Sequence, residues 1–388
     1  MDTHQQKRSI MVLSDWFAPG FRAGGPITSC VNFAHTMQDD FHIKVLTSDR
    51  DLNDTEPYPN ITTDCWLRFD RGISVYYCSP TQRCGQSFRG LLDKSQPDFL
   101  YLNGMFSTSF TIFPLWQYFR NKLNANIVLA PRGMLRPSAL RFKPIKKYAY
   151  LKLLRLSGVA DRIQFHATHE QERDDIHRVF GSKVQVEVIP NCVRPPQPLT
   201  NSIQKEAGAL KAITVGRIHP IKNTKMLISV FRRATHSVQL DLYGPIEDCS
   251  YWNECQRIID GLPEHVQVRY CGSLPADAVR STIERYHLFV LPTTGENFGH
   301  AIYEALASGK PVLISDQTPW RDLTSQKAGW DLPLNDEKRF VRVLNECAMM
   351  QQQQYRSWSA GAWKLAQSFA LKDGYYQKYL QMFTRESQ

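Results

Sequence analysis

A chain of 388 residues is longer than one hydrophobic core usually supports, so two domains are expected, and 42% apolar residues suffice to build them. Its 47 Lys and Arg against 37 Asp and Glu leave a net charge of +10, which implies an anionic partner: nucleic acid, a membrane surface or a phosphorylated substrate. Nine scattered cysteines without a Cys-x-x-Cys pair argue against structural zinc and a disulfide framework and suit a reducing cytoplasm, and no run of eighteen apolar residues is present to span a membrane.

Short apolar runs alternate with helix-like segments along the chain, the pattern of parallel sheets with helices on both faces. In the first half, strands are expected at Ile10–Ser14, His42–Thr47, Ile73–Ser79, Phe99–Asn103, Ile127–Ala130, Ile163–Thr168 and Val186–Pro190. The apolar run at Ile10–Leu13 is too short for a signal peptide. Directly after it, Pro19-Gly20-Phe21-Arg22-Ala23-Gly24-Gly25-Pro26 leads into a helix. Glycines there let the backbone approach a ligand, and Pro26 suits a first helical position; a tight strand-to-helix turn accounts for the same residues. The spacing is not Gly-x-Gly-x-x-Gly, so dinucleotide binding is unsupported.

Between Arg132 and Arg155 stand eight Lys and Arg and no acid: Arg132, Arg136, Arg141, Lys143, Lys146, Lys147, Lys152 and Arg155. The helical wheel of 144–156 shows no single apolar stripe, so a solvated basic helix and a membrane-surface element both fit. Under the membrane reading, Lys143, Lys146 and Lys147 meet an anionic surface. His166 and His169 lie at a strand end, where a histidine is more often structural than catalytic. No Ser-His-Asp or Cys-His spacing, no metal-ligand spacing and no Asp-x-Asp for a metal-bound diphosphate is present, so no cofactor and no metal are expected.

The stretch Pro190-Asn191-Cys192-Val193-Arg194-Pro195-Pro196-Gln197-Pro198 is too proline-rich for a helix or central strand and reads as a linker. Beyond it, strands are expected at Ile213–Gly216, Leu240–Tyr243, Val266–Cys271, Leu288–Leu291 and Val312–Ser315. Arg217 and Lys222 fall in the loop after the first of these, at the sheet end where ligands bind in open α/β folds. Two fixed cations there can neutralise a diphosphate as its charge builds. Gly244 follows the next strand in a turn.

After Leu288–Leu291 come Gly295-Glu296-Asn297-Phe298-Gly299-His300 and a helix that Gly309 and Pro311 end, with Asn297 as its expected N-cap. The amides of Phe298, Gly299 and His300 would then form an anion site at a helix N-terminus. His300 and Glu304, four apart, share the face looking back toward it, while Ala301, Ile302, Ala305 and Leu306 pack. A phosphate flanked by Glu296 and Glu304 suits a nucleotide-sugar, whose hydroxyls donate to carboxylates; a cap and a solvated helix residue are the alternative reading of the two.

Glu296-Asn297-Phe298-Gly299, Glu304-Ala305-Leu306-Ala307-Ser308-Gly309 and Pro311-Val312, continued by Ser315-Asp316 and Thr318-Pro319-Trp320, resemble the signature of retaining glycosyltransferases of family four. The resemblance implies the GT-B fold: two Rossmann-like doubly wound α/β domains facing across a cleft. It implies that Glu296 contacts the transferred sugar and Glu304 the ribose, that Arg217 and Lys222 hold the diphosphate, and that Gly244 lies beside the nucleotide. By the same resemblance, Gly24 and Gly25 lie near the donor's diphosphate and the acceptor. Arg132 stands where many members carry a histidine, so Arg132 and His166 are the acceptor-side candidates. The implied domains are 1–190 for the acceptor, a linker at 191–210 and 211–369 for the donor. The final helix, about 370–388 with Tyr375–Met382 at its centre, would cross back onto the first domain.

The expected activity is metal-independent transfer of a sugar from a nucleotide-diphosphate-sugar to a glycan or lipid-linked glycan, in surface-polysaccharide synthesis. The expected location is the cytoplasm, with possible peripheral membrane contact. A nucleotide-sugar epimerase or hydrolase of the same fold is the nearest rival. A nucleic-acid-binding module lacks the aromatics interleaved with Lys and Arg that it would need, and nucleic acid is not an expected partner.

Overall fold

Strands that are apolar on both faces have to be covered on both faces, and this chain builds two parallel sheets on that rule. A computed structural model describes residues 7–83, 85–141, 143–199, 203–372 and 374–384. Two units result: one holds the chain up to Val193 and from Asp373 onward, the other Arg194–Lys372.

The first unit contains β1 (Ser9–Ser14), β2 (His42–Ser48), β3 (Trp66–Asp70), β4 (Ile73–Cys78), β5 (Phe99–Asn103), β6 (Asn126–Ala130), β7 (Gln164–Ala167) and β8 (Gln185–Val188). They form one sheet in the order β3-β4-β2-β1-β5-β6-β7-β8. All neighbours are parallel except β3, which runs antiparallel to β4. Ile10, Met11, Val12 and Leu13 alternate between two cores on opposite faces of this sheet. The helix Tyr375–Met382 belongs to this unit, where Tyr379, Met382 and Phe383 pack with Phe33, Phe99 and Tyr101, and the Tyr379 hydroxyl donates to the Pro190 carbonyl at 2.9 Å.

The second unit contains β9 (Ala209–Val215), β10 (Ser237–Tyr243), β11 (Val266–Tyr270), β12 (Leu288–Leu291), β13 (Val312–Ser315) and β14 (Gly329–Leu332), in the order β11-β10-β9-β12-β13-β14, all parallel. Among its parallel strands each sheet reverses its order once. In the first unit the reversal lies between β1 and β5, in the second between β9 and β12. A ligand crevice opens outside the carboxyl ends at such a reversal.

Several boundaries differ from the sequence reading. β9 and β10 each begin earlier than expected because their first residues alternate exposed and buried, which breaks the apolar run. β3 was not expected: on an antiparallel edge its residues are exposed or half-buried throughout. β14 was missed as well. The linker expected at 191–210 is much shorter. The chain changes units between Val193 and Arg194, and the Arg194 and Gln197 carbonyls already accept bonds from Tyr303 and Trp363 of the second unit.

His166 is a core residue. It is fully buried in β7, and its ring accepts from the Tyr101 hydroxyl (2.6 Å) on Nδ1 and donates from Nε2 to the Ile189 carbonyl (2.7 Å). With both nitrogens engaged it has none for an acceptor, so the expected acceptor-side role is corrected. Burial holds it neutral, its pKa lowered to about 3. His287, buried beside β9, takes the Lys211 amide and donates to the Gln204 carbonyl, and burial lowers it to about 4.

A histidine with a depressed folded pKa keeps its full stability above the unfolded value and loses it as pH falls below that. Unfolding free energy should therefore drop from about pH 6.5 downward, approaching about 1.4 kcal/mol per pH unit for each histidine. Denaturant titrations between about pH 7 and pH 5 check this. His287→Gln should flatten the slope by one histidine's share; an unchanged slope contradicts the assignment.

Candidate active site

The second unit gathers charge at the reversal between β9 and β12. The chain leaves β9 through Gly216 and Arg217, forms a short 3-10 turn at Pro220–Lys222, and enters the helix Thr224–Arg232. His219 caps the turn by accepting the Ile221 amide, and burial lowers its pKa, which favours the neutral acceptor form. Asn223 takes a left-handed conformation to switch from turn to helix.

The loop leaving β12 is strapped to that turn. The Ile221 carbonyl accepts from the Thr294 amide (2.8 Å), the Thr293 hydroxyl (2.9 Å) and the Thr294 hydroxyl (3.2 Å). The Glu296 amide donates to the Gln317 carbonyl at 3.0 Å, tying the same loop to the one after β13. These straps bring the Lys222 ammonium onto the Glu296 carboxylate in a short, charge-assisted bond. The Lys222 and Glu296 side chains are only 18% and 12% exposed. Arg217 donates to Glu247 at 2.6 Å, in a pair 35% and 26% exposed.

That difference in burial ranks the two pairs. Both pairs are partly buried, and the solvent left around Arg217 and Glu247 screens their attraction more than it does that of Lys222 and Glu296. Arg217 is thus the cation more easily surrendered to an incoming anion, and Lys222 with Glu296 is the fixed part. Glu247 was not found in the sequence; nothing about its spacing marks it as the partner of Arg217.

Gly244 fits where no other residue would. Its φ is +141°, and a Cβ there would lie 2.0 Å from the Gly216 carbonyl oxygen. The close approach lets the loops after β9 and β10 run side by side, with the Gly216 amide donating to the Tyr243 carbonyl (2.8 Å) and the Ile218 amide to that of Pro245 (2.9 Å).

The helix after β12 is His300–Ala307, and its N-cap is Gly299 at a φ of +80°, not Asn297 as the sequence suggested. A Cβ at Gly299 would meet Ile302 at 2.8 Å, so the tight entry requires glycine. The Ile302 and Tyr303 amides close on the Gly299 carbonyl, which puts the His300 amide at the open end of the helix. The Phe298 ring is buried among Trp320, Phe369 and His300, and its carbonyl accepts the Trp320 indole N–H at 2.7 Å. Its side chain therefore faces core. Glu304 lies one turn into the helix, half-buried. Burial raises its carboxyl above the usual range, and Arg280 and Arg194, neither singled out by the sequence, pull it back only in part.

The remaining predicted residues lie in the first unit. Gly24 caps the helix Gly25–Met37, of which Gly25 is the first residue. Asp51 fixes the preceding loop by accepting the Phe21 and Arg22 amides. Arg132 donates to Asn103 (2.7 and 3.1 Å), to the Tyr101 hydroxyl (2.7 Å) and to Asn191. These contacts make Arg132, an acceptor-side candidate from the sequence, a tie between the ends of β5 and β6 and the chain beyond β8. His169 caps the helix Glu170–Phe180. Among the described residues no group of three His, Cys, Asp or Glu side chains is placed to hold a metal ion.

Residues 209–349 match the family model described as "Glycosyl transferases group 1". No curated protein matches the chain by sequence. Among solved structures it is similar to Anabaena HepE in complex with UDP-glucose, at 17% identity over 96% of this chain and 98% of that one, with a TM-score of 0.68. Sucrose-phosphate synthase from Thermosynechococcus elongatus matches at 15% identity, 97% and 98% coverage and a TM-score of 0.67. An S. aureus TarM variant in complex with fondaparinux, α-GlcNAc-glycerol and UDP matches at 13% identity, 98% and 100% coverage and 0.68. The match to the group 1 glycosyltransferases thus lies within the second unit, and the chain as a whole has the GT-B fold.

Proposed function

We propose that the chain transfers a sugar from a nucleotide-diphosphate-sugar to a glycan or lipid-linked glycan in surface-polysaccharide synthesis, with retention of configuration, without a metal, in the cytoplasm. The observation that carries this reading is the pairing of Lys222 with Glu296 at the β9/β12 reversal, with Arg217 and the start of the helix His300–Ala307 on the same loops. In the proposed reaction Lys222 and Arg217 meet the diphosphate, and Arg217 leaves Glu247 to do so. The bond from the anomeric carbon to the diphosphate oxygen breaks, and that carbon bonds to the acceptor oxygen on the same face. The acceptor's proton passes to the departing diphosphate, whose growing charge the two cations stabilise. Glu296 accepts from the sugar hydroxyls and Glu304 from the ribose, as carboxylates do.

A hydrolase or epimerase would need a water-activating group. The two histidines considered for that task serve the fold, His166 in the core and His169 as a helix cap, which favours transfer to an acceptor.

Lys222→Ala and Glu296→Gln should each slow nucleotide release by about 100-fold, the scale of losing one charge-stabilising contact. The assay uses whichever member of a nucleotide-sugar panel the wild type turns over. Near-normal rates in either variant would remove these residues from the site. Turnover should also persist in excess EDTA; a loss that magnesium or manganese restores would place a metal on the diphosphate.

Glu304 supplies an independent check. A carboxyl raised by burial weakens the fold at every pH above its unfolded pKa and ceases to do so once protonated. Glu304→Gln should therefore raise the thermal midpoint at neutral pH by about 1–3 °C, an advantage that vanishes near pH 4, about the ordinary carboxyl pKa. The same variant should bind donor more weakly. A lower midpoint together with unchanged donor binding would make Glu304 an ordinary structural residue.

A further inference from the structure

The helix Pro144–Leu156 of the first unit has two apolar faces, and the fold covers only one. Leu151 and Leu154 are buried in the core and Tyr150 packs against it. Lys147 turns the same way: its ammonium donates to the Ala139 carbonyl at 2.7 Å and lies 4.9 Å from the Phe106 ring centre. With 3.6 residues per turn, the opposite face carries Ile145, Tyr148, Lys152, Leu153 and Leu156. The side chains of Ile145, Leu156, Leu153 and Tyr148 are 84%, 72%, 68% and 58% exposed. With Leu371 they are the most exposed large apolar residues among those described. So many on one face mark an interaction surface, not chance exposure. The two opposed stripes also explain why the sequence showed no single apolar face.

Charge decides what the face meets. Lys146 and Arg155 border the stripe on its two sides, Lys152 lies within it, and Arg141 and Lys143 are exposed at the helix start. No acidic residue occurs from position 132 to 160. A second copy docking through this face would set these cations against their own kind, since a two-fold contact joins identical patches. An apolar stripe bordered by Lys and Arg is instead the composition of helices that lie in the plane of a lipid interface. Among the described residues no helix is long and apolar enough to cross a membrane, so any contact of this helix with a bilayer is from the surface.

We propose that this face rests on an anionic lipid bilayer, with Ile145, Tyr148, Leu153 and Leu156 entering the headgroup layer and the five cations meeting anionic headgroups. Lys147, expected from the sequence to join them, is held inside instead. The inference is independent of the donor site, which lies in the other unit.

The test is sedimentation of the full chain with phosphatidylcholine vesicles containing one quarter phosphatidylglycerol, at low salt, against vesicles of phosphatidylcholine alone. Two triple variants are compared: Ile145→Ser, Leu153→Ser and Leu156→Ser together, and Lys146→Glu, Lys152→Glu and Arg155→Glu together. All six positions are solvent-exposed, and an unchanged circular dichroism spectrum and thermal midpoint confirm that each variant folds. The wild type should pellet with the anionic vesicles only, and each variant should partition at least ~100-fold more weakly. The proposal falls if the wild type ignores anionic vesicles at low salt, or if the apolar variant binds them like wild type. It falls equally if the wild type self-associates through this face without binding vesicles, or binds polyglutamate while ignoring them.

Discussion

One carbonyl group holds the candidate site together. The Ile221 oxygen accepts three bonds from Thr293 and Thr294, and this joins the loop leaving β9 to the loop leaving β12. Lys222 is the next residue on the first loop, and Glu296 lies two residues past Thr294 on the second. The strap thus sets the distance between cation and carboxylate, and the reversed strand order beneath it sets where the pair stands. Gly244 continues the arrangement sideways, since only a residue without a side chain lets the β10 loop lie against the Gly216 carbonyl.

The site is built at some expense to the fold. Glu304 is raised by burial, with Arg280 and Arg194 offsetting only part of that. Lys222 and Glu296 give up most of their solvent for one another. A carboxyl displaced by burial, as Glu304 is, is over-represented at functional sites, because such a group responds to a ligand. Phe298, Tyr303, Trp320 and Phe369 pack as one aromatic cluster beside the helix entry at Gly299.

Much of this was legible because parallel strands covered on both faces read as unbroken apolar runs, as at Ile10–Leu13 and Leu288–Leu291. Where a strand is half-covered, as at Trp66–Asp70 or the first residues of β9, the run disappears and so did the prediction. Arg217, Lys222, Glu296 and Glu304 were singled out by residue type, by position and by the family resemblance, and the fold sets Lys222 against Glu296. Their other partners were not singled out: Glu247, Arg280 and Arg194 sit on other segments, and only the fold brings them in. Asn297 was named as cap because a side-chain cap is the common device, whereas a glycine with positive φ serves here. Histidine at a strand end was ambiguous from sequence, and burial resolved His166 in favour of the core.

The central claim is that the loops after β9 and β12 form a nucleotide-diphosphate site whose charge comes from Arg217 and Lys222. Calorimetric titration of UDP and GDP into the wild type and into Lys222→Ala, in excess EDTA, tests it most directly. One of the two nucleotides should bind the wild type without added metal, and Lys222→Ala should weaken that binding by about 10-fold or more, the loss of a charge-assisted contact. Absence of binding by either nucleotide, or equal affinity in wild type and variant, would contradict the account.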